Sequence, residues 1–363
     1  MSSKHAKQPE KRVGILGRVL GTIGIVVLVL GGLALIGWGL IEWKIDDLID
    51  RTQSAPSEVS FIQDESELTL PDEAQTLSDI PIQGNTSYVT NFLLLGVDSR
   101  ETGGNGRSDT NMIVSINSRT KTIKIISLLR DTWVTIPGLD EDGDGVRDYS
   151  KLNSAYFNGG FDLLASTIRE NFRLEITQYA KVDFDAFQVA VDALGGIDVE
   201  LTEEEARYIP KEDLGDPDKF ATEPGIVPLG TSAGVYHLNG HQALAYCRIR
   251  KLYSTSDFAR QSNQRVVVSK LIEKAKGSSP TALLSMLEDV LPCVTTNIPR
   301  SELREYALGV LEYAGYSIEM DYSLPDIHKS DWSNKTLSGK GEGLWLEDPA
   351  QTVLELHKYI YEE

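Results

Sequence analysis

Cysteine is scarce: Cys247 and Cys293 are the only two in 363 residues. A disulfide framework is therefore excluded, and at most one bridge, Cys247 to Cys293, is open to an exported domain. Neither cysteine stands in metal-ligand spacing, so a thiolate metal centre is excluded as well. Positive charge is also in short supply, with 35 Lys and Arg against 54 Asp and Glu and a net charge of −19. Nucleic-acid binding rests on neutralising phosphates over a broad basic surface, so a nucleic acid is a poor partner and the composition speaks against a DNA-binding regulator. Internal repeats are missing too: the double glycines at 103, 159 and 195 have no common period and read as turns.

One long apolar run is present. Val19 to Ile41 carries no charge and as a helix spans about 34 Å, against roughly 30 Å of hydrocarbon. Lys4, Lys7, Lys11, Arg12 and Arg18 precede it and Glu42, Asp46, Asp47 and Asp50 follow. The positive-inside rule then keeps the N-terminus in the cytoplasm and places the rest of the chain outside. No small-residue cleavage site stands near Gly37–Leu40, which favours a retained anchor over a signal peptide. The expected organisation is a basic cytoplasmic tail (1–18), a transmembrane helix (19–41), an acidic stalk (42–88), an extracytoplasmic catalytic domain (89–320) and a C-terminal loop and helix packed on it (321–363), in a single-pass protein of the cell membrane.

In the exported part, Asn91–Val97 is a continuous apolar run of the kind found in strands buried on both faces, followed by strands near Asn111–Ile116 and Thr122–Leu129. Helical patterns recur at Ser154–Phe172, Phe184–Leu194, Phe258–Lys276, Thr281–Leu291 and Ser301–Ala314. Asp348 as cap and Pro349 at the first helical position open a last helix that runs to about Tyr361. Such alternation predicts an α/β fold, a layered α-β-α domain around a central mixed sheet. The glycine- and serine-containing stretch Asp321–Gly343 reads as a loop.

Cations cluster in two segments, around Arg130 and from Tyr246 to Gln264. Read as a strand, Ala243–Arg250 puts Arg248 and Arg250 on one face about 7 Å apart, with Cys247 and Ile249 on the core face. Asp257 caps the following helix, where Arg260 and Gln264 meet four residues apart. Their stripe continues as Val267, Val268 and Leu271, so this face points into a pocket. Guanidinium forks grip phosphate oxygens bidentately. Asp98 ends the first strand and Asp109 follows a glycine-rich loop, which sets both at one rim, where ligands of α/β sheets bind. Paired carboxylates beside phosphates suit Mg²⁺. Loop aspartates alone are usually turn formers, and Arg130 alone is equally a surface partner of Asp131; the combination is what points to a held and polarised pyrophosphate.

The segments NFLLLGVDSR, GRSDTNM, LLRDTWVTIPG, KLNSAYFNGG, VDALGGIDVEL and HLNGHQALAYCRIRK, followed by DFARQSNQ, resemble in order the successive motifs of the LytR-CpsA-Psr family, membrane-anchored enzymes of bacterial cell envelopes. The resemblance spans roughly Asn91 to Arg300. It implies an α/β domain that takes a glycan from a polyprenyl (undecaprenyl-type) pyrophosphate carrier and transfers the glycan phosphate to a peptidoglycan hydroxyl, attaching a glycopolymer such as teichoic acid or capsule. It further implies Mg²⁺ on Asp98 and Asp109 and pyrophosphate held by Arg130, Arg248, Arg250, Arg260 and Gln264, with Arg107, Lys151 and Asp257 at the rim and a hydrophobic tunnel for the lipid. Two departures stand out: Leu129 where the family often has proline, and Asn263 where it often has arginine. A polyprenyl pyrophosphate phosphatase using water as acceptor and a non-catalytic lipid-glycan binder are the alternative functions.

A second metal candidate lies just before the KLN motif. Asp140, Asp142, Asp144 and Asp148 take positions one, three, five and nine of a Ca²⁺ loop, with Gly145 at six. The twelfth position is Lys151 instead of the bidentate Glu, and a solvated acidic turn is the alternative.

Overall fold

The chain is described by a computed structural model covering residues 45–362, apart from 56–58, 62–67, 99–104, 213–228, 250–251, 253–255, 279–287, 309–314 and 327. β2 (Val89–Asp98) carries the apolar run Phe92–Val97 because both of its faces are covered. Phe92 and Leu94 enter one core, whereas Leu93, Leu95 and Val97 enter the other, the period-two alternation of a strand. Around it runs an eight-stranded mixed sheet in the order β1-β10-β7-β2-β3-β4-β11, with β12 also on β4. Here β1 is Gln53–Ser54, β3 Arg107–Asn117, β4 Thr122–Leu128, β7 Tyr179–Asp183, β10 Thr295–Thr296, β11 Ser317–Glu319 and β12 Ser323–Leu324, while β5 (Trp133–Thr135) pairs with β6 (Tyr149–Lys151) and β8 (Ile197–Leu201) with β9 (Gly234–Leu238) outside this sheet.

Two helical layers cover the sheet. On one side lie α1 (Leu152–Phe172) and α5 (Pro349–Tyr361). Opposite them are α2 (Phe184–Ala193), α3 (Gly240–Cys247) and α4 (Ser256–Gly277). The expected α-β-α layering is thus present. α5 begins as its sequence dictates, with Asp348 accepting from the Gln351 amide and Pro349 in the first turn. α1 is interrupted at Gly159 and Gly160, the latter at φ 63°, so this glycine pair breaks a helix.

Three expectations need correction. Ala243–Cys247 belongs to α3, not to a strand, because Asn239 and Gln242 form a capping box that starts a helix just before it. Cys247 and Ile249 are buried all the same, at 5% and 0% exposure. α4 begins at Ser256, so Asp257 lies inside its first turn and is not the cap. The stretch 321–343 is not a plain loop: after β12 it forms the hairpin β13 (Trp332–Leu337) and β14 (Gly341–Leu346). Gly339 and Gly341, at φ 75° and 80°, make the reversal between them.

Within the segment expected to be a stalk, residues 45–50 are helical. They bury Ile45, Leu48 and Ile49 to 4%, 1% and 7% exposure, and β1 then pairs in parallel with β10. The apolar run Val19–Ile41 lies outside the described residues, and among the described residues no helix is long and apolar enough to cross a membrane. Cys247 and Cys293 are both free thiols; burial pushes the Cys247 thiol well above its ordinary range.

Candidate functional site: cations and a carboxylate at the mouth of an apolar cavity

β2 runs parallel to β7 and antiparallel to β3, which is antiparallel to β4. That topology collects the C-terminal ends of β7, β2 and β4 and the N-terminal end of β3 at one rim. Asp183, Asp98, the segment leading to Arg130, and Asp109 all stand there. Asp109 is aimed by a bulge: Gly96 pairs with Thr110 and Val97 with Ser108, so Asp109 has no opposite number in β2. Gly96 is required at this point, since a Cβ on it would come within 2.9 Å of the Thr110 side chain.

Arg130 donates from Nη1 to Asp109 Oδ1 at 2.6 Å and from Nε to Asp131 Oδ2 at 3.1 Å. Asp131 Oδ1 lies 3.0 Å from Lys151 Nζ. Charges therefore alternate along Asp109, Arg130, Asp131 and Lys151, with Asp131 holding two cations side by side. These pairs are largely shielded: the Arg130 and Asp131 side chains are 14% and 12% exposed. The backbone beneath them is fixed from three directions. Leu129 N donates to Leu324 O at 2.9 Å, Asn153 N to Arg130 O at 3.1 Å, Leu344 N to Asp131 O at 2.9 Å and Leu152 N to Thr132 O at 3.0 Å. The KLN segment thus contributes more than Lys151: the first amides of α1, unsatisfied within the helix, tie it to the Arg130 turn. Leu129 also uses the N–H that a proline would lack.

Asp109 opens onto a cavity of about 820 Å³, counting its open mouth, whose rim carries Asp183, Arg248 and Gln264 and whose walls are apolar, among them Leu94, Met112, Phe187, Leu244 and Val268. Arg248 caps the C-terminal end of α3, its guanidinium 5.3 Å from the Phe184 ring centre. Arg107 stands exposed at the start of β3, 5.6 Å over the Phe157 ring. The structure so pairs Asp109 with Arg130 directly, joins Lys151 to Arg130 through Asp131, and sets Asp109, Arg248 and Gln264 on one cavity. Asp98 ends β2 in register with Arg107. Arg250 and the side chains of Asp98, Asp257 and Arg260 lie outside what is described. Asn263, the departure from arginine, is buried and donates to Tyr246 O at 3.0 Å, tying α4 to the end of α3.

Two residues of the site went unread in the sequence. The sequence offers Asp131 only as a surface partner of Arg130. Asp183, which caps α2 by accepting from the Ala186 amide, carries no local signal beyond an aspartate before an apolar helix.

The acidic loop before α1 brings one oxygen each of Asp140, Asp142 and Asp148 within 4.8 Å of one another. Asp144 instead accepts from the Val146 amide. Lys340, from the turn of the C-terminal hairpin, reaches Asp148 and Glu141, both at 3.1 Å. Burial raises the Asp148 carboxyl, but the Glu141 amide and the Lys340 ammonium outweigh it and leave the carboxyl below its ordinary value.

Residues 58–335 match the LytR_cpsA_psr family. The polyisoprenyl-teichoic acid–peptidoglycan teichoic acid transferase TagV of Bacillus subtilis is 30% identical over 70% of this chain and 57% of its own length. The transferase of the same description, TagU, from Halalkalibacterium halodurans is 30% identical over 80% of this chain and 81% of its own. Among solved structures, TagT bound to LIIa-WTA is 27% identical with a TM-score of 0.55, covering 75% of this chain and 89% of that one. Protein gbs0355 of Streptococcus agalactiae is 25% identical with a TM-score of 0.58, covering 76% and 89%.

Proposed function

Because this chain belongs to the LytR_cpsA_psr family, we propose that it is a phosphotransferase that moves a glycan phosphate from a polyprenyl pyrophosphate carrier to a peptidoglycan hydroxyl, with a teichoic acid-type polymer as cargo. One observation carries this reading: Asp109, Arg248 and Gln264 share one cavity with apolar walls, and Arg130 is paired directly to Asp109. A ligand that satisfies both parts has an anionic head and a long apolar tail.

In this reading Arg130, Arg248 and Lys151, with Arg250 and Arg260, neutralise the pyrophosphate as the acceptor hydroxyl attacks the sugar-bound phosphorus and polyprenyl phosphate leaves. Positioning and charge stabilisation carry most of the catalysis in such displacements. Asp131 keeps the Arg130 fork and the Lys151 ammonium at a fixed separation, so little reorganisation is needed when the anion arrives. Asp98 and Asp109 stand at neighbouring ends of adjacent strands, and aspartates so placed suit Mg²⁺. Asp98 and Asp109 would hold the ion, which supplies further charge neutralisation. The anchor at 19–41 would keep the cavity within reach of membrane-borne carrier.

The test is incubation of the chain with a polyprenyl pyrophosphate-linked disaccharide, Mg²⁺ and a peptidoglycan oligomer, followed by mass spectrometry of the acceptor. A phosphoglycan adduct that Arg130→Ala abolishes supports the reading. Free sugar phosphate without adduct makes the protein a phosphatase, and binding without turnover makes it a carrier-binding protein.

A further inference from the structure

The C-terminal hairpin β13–β14 meets the site at one residue. Leu344 N donates to the carbonyl of Asp131 at 2.9 Å, and Thr132 and Leu344 form a parallel bridge. Trp133 Nε1 donates to Lys335 O at 2.9 Å from the opposite strand of the hairpin. The approach is close enough to exclude a side chain: a Cβ on Gly343 would stand 2.7 Å from Asp131 O and 2.7 Å from the Trp133 indole, inside any real carbon contact. A hairpin that only covered the core would do so with Leu344 and Leu346, which are 7% and 6% exposed, and would not need a bare backbone against Asp131.

What Asp131 does makes that contact consequential. Its carboxylate spans Arg130 Nε and Lys151 Nζ at 3.1 and 3.0 Å, so a displacement of its backbone moves both cations together. Bidentate recognition of a phosphate falls off steeply with such displacements, since both N–H···O bonds of the fork must be aligned at once.

We propose that Gly343 and Leu344 are positioning residues of the pyrophosphate site, setting the place of Arg130 and Lys151 through Asp131. The proposal rests on the reading that these two cations grip a pyrophosphate ester. The hairpin belongs to the catalytic apparatus, and the described fold explains why: the Arg130 turn lies beyond the end of β4, where the sheet ladder no longer fixes it.

Binding of farnesyl pyrophosphate with Mg²⁺ to the full chain in detergent, followed by calorimetry, tests this without relying on turnover. The variants are Gly343→Ala, Asp131→Asn, the two combined, and Thr336→Ala on the exposed edge of β13 as a control, each checked by near-UV circular dichroism. Gly343→Ala is expected to weaken affinity about tenfold, Thr336→Ala to leave it unchanged, and the double variant to bind within about twofold of Asp131→Asn, because the two act through one residue. Additive losses, as from a hairpin that merely unfolds, overturn the proposal. So does a Gly343→Ala affinity equal to that of the wild type while Asp131→Asn is weakened. Absence of binding by the wild type overturns the pyrophosphate reading itself, and the proposal with it.

Discussion

Arg130 and Asp109 meet at 2.6 Å across two strands, the one from the turn after β4 and the other from a bulge that turns it out of the β3 ladder. A guanidinium held in this way is preorganised, and its planar fork cannot be reproduced by an ammonium. Arg130→Lys is therefore expected to lose nearly as much transfer rate as Arg130→Ala, each by roughly a hundredfold or more, as for the removal of a preorganised transition-state donor. Steady-state kinetics on the two variants, with melting curves to confirm folding, check this.

Removal of divalent ions addresses the carboxylates. Chelation is expected to stop transfer and Mg²⁺ to restore it, while Asp109→Asn is expected to raise the Mg²⁺ concentration at half-maximal rate, because the proposed Mg²⁺ site would lose one anionic ligand. A Mg²⁺ titration of wild type and variant gives the comparison.

Lys340 places an ammonium against Asp148 and Glu141, both at 3.1 Å, in the acidic loop whose sequence offers either a Ca²⁺ site or a solvated turn. Lysine and calcium compete for the same charge. Lys340→Ala is expected to lower the melting temperature, and added Ca²⁺ is expected to raise the melting temperature of the variant more than that of the wild type; differential scanning fluorimetry on chelated samples measures both.

His357, on α5, is buried with Nε2 3.1 Å from Phe172 O. Burial is the main cause that holds its imidazole below the ordinary value of 6.5; the nearby Arg173 charge adds to this, and the Phe172 and Arg173 carbonyls partly oppose it. The unfolded chain thus takes up a proton that the folded chain refuses. The stability from this group is fully present above about pH 6.5 and is lost as pH falls through the folded value. His357→Gln is expected to narrow the difference in melting temperature between pH 7 and pH 5.

The sheet was legible because β2 is apolar on both faces and because the strands after it follow at hairpin distances. α5 was legible because Asp348 and Pro349 are start signals that act locally. The strand assigned to Ala243–Arg250 failed for the converse reason: over so short a stretch, apolar alternation is compatible with either period, and the Asn239 capping box decided for the helix. At the site, Arg130, Asp109, Lys151, Arg248 and Gln264 could be named from residue type and motif order. The role of Asp131 could not, since it depends on Lys151 arriving from β6 (Tyr149–Lys151), which pairs with β5 (Trp133–Thr135), and on the far C-terminal hairpin beneath it. Contacts of that range leave no periodic trace in a sequence.

In the proposed transfer the acceptor oxygen comes from peptidoglycan and not from water. The most direct test is the transfer reaction run in ¹⁸O-water with lipid-linked disaccharide, Mg²⁺ and a peptidoglycan oligomer, with mass spectrometry of every phosphorus-containing product. The expected products are a phosphodiester adduct and polyprenyl phosphate, both free of ¹⁸O. Sugar phosphate or polyprenyl phosphate carrying one ¹⁸O, with no adduct, would contradict the proposed transfer.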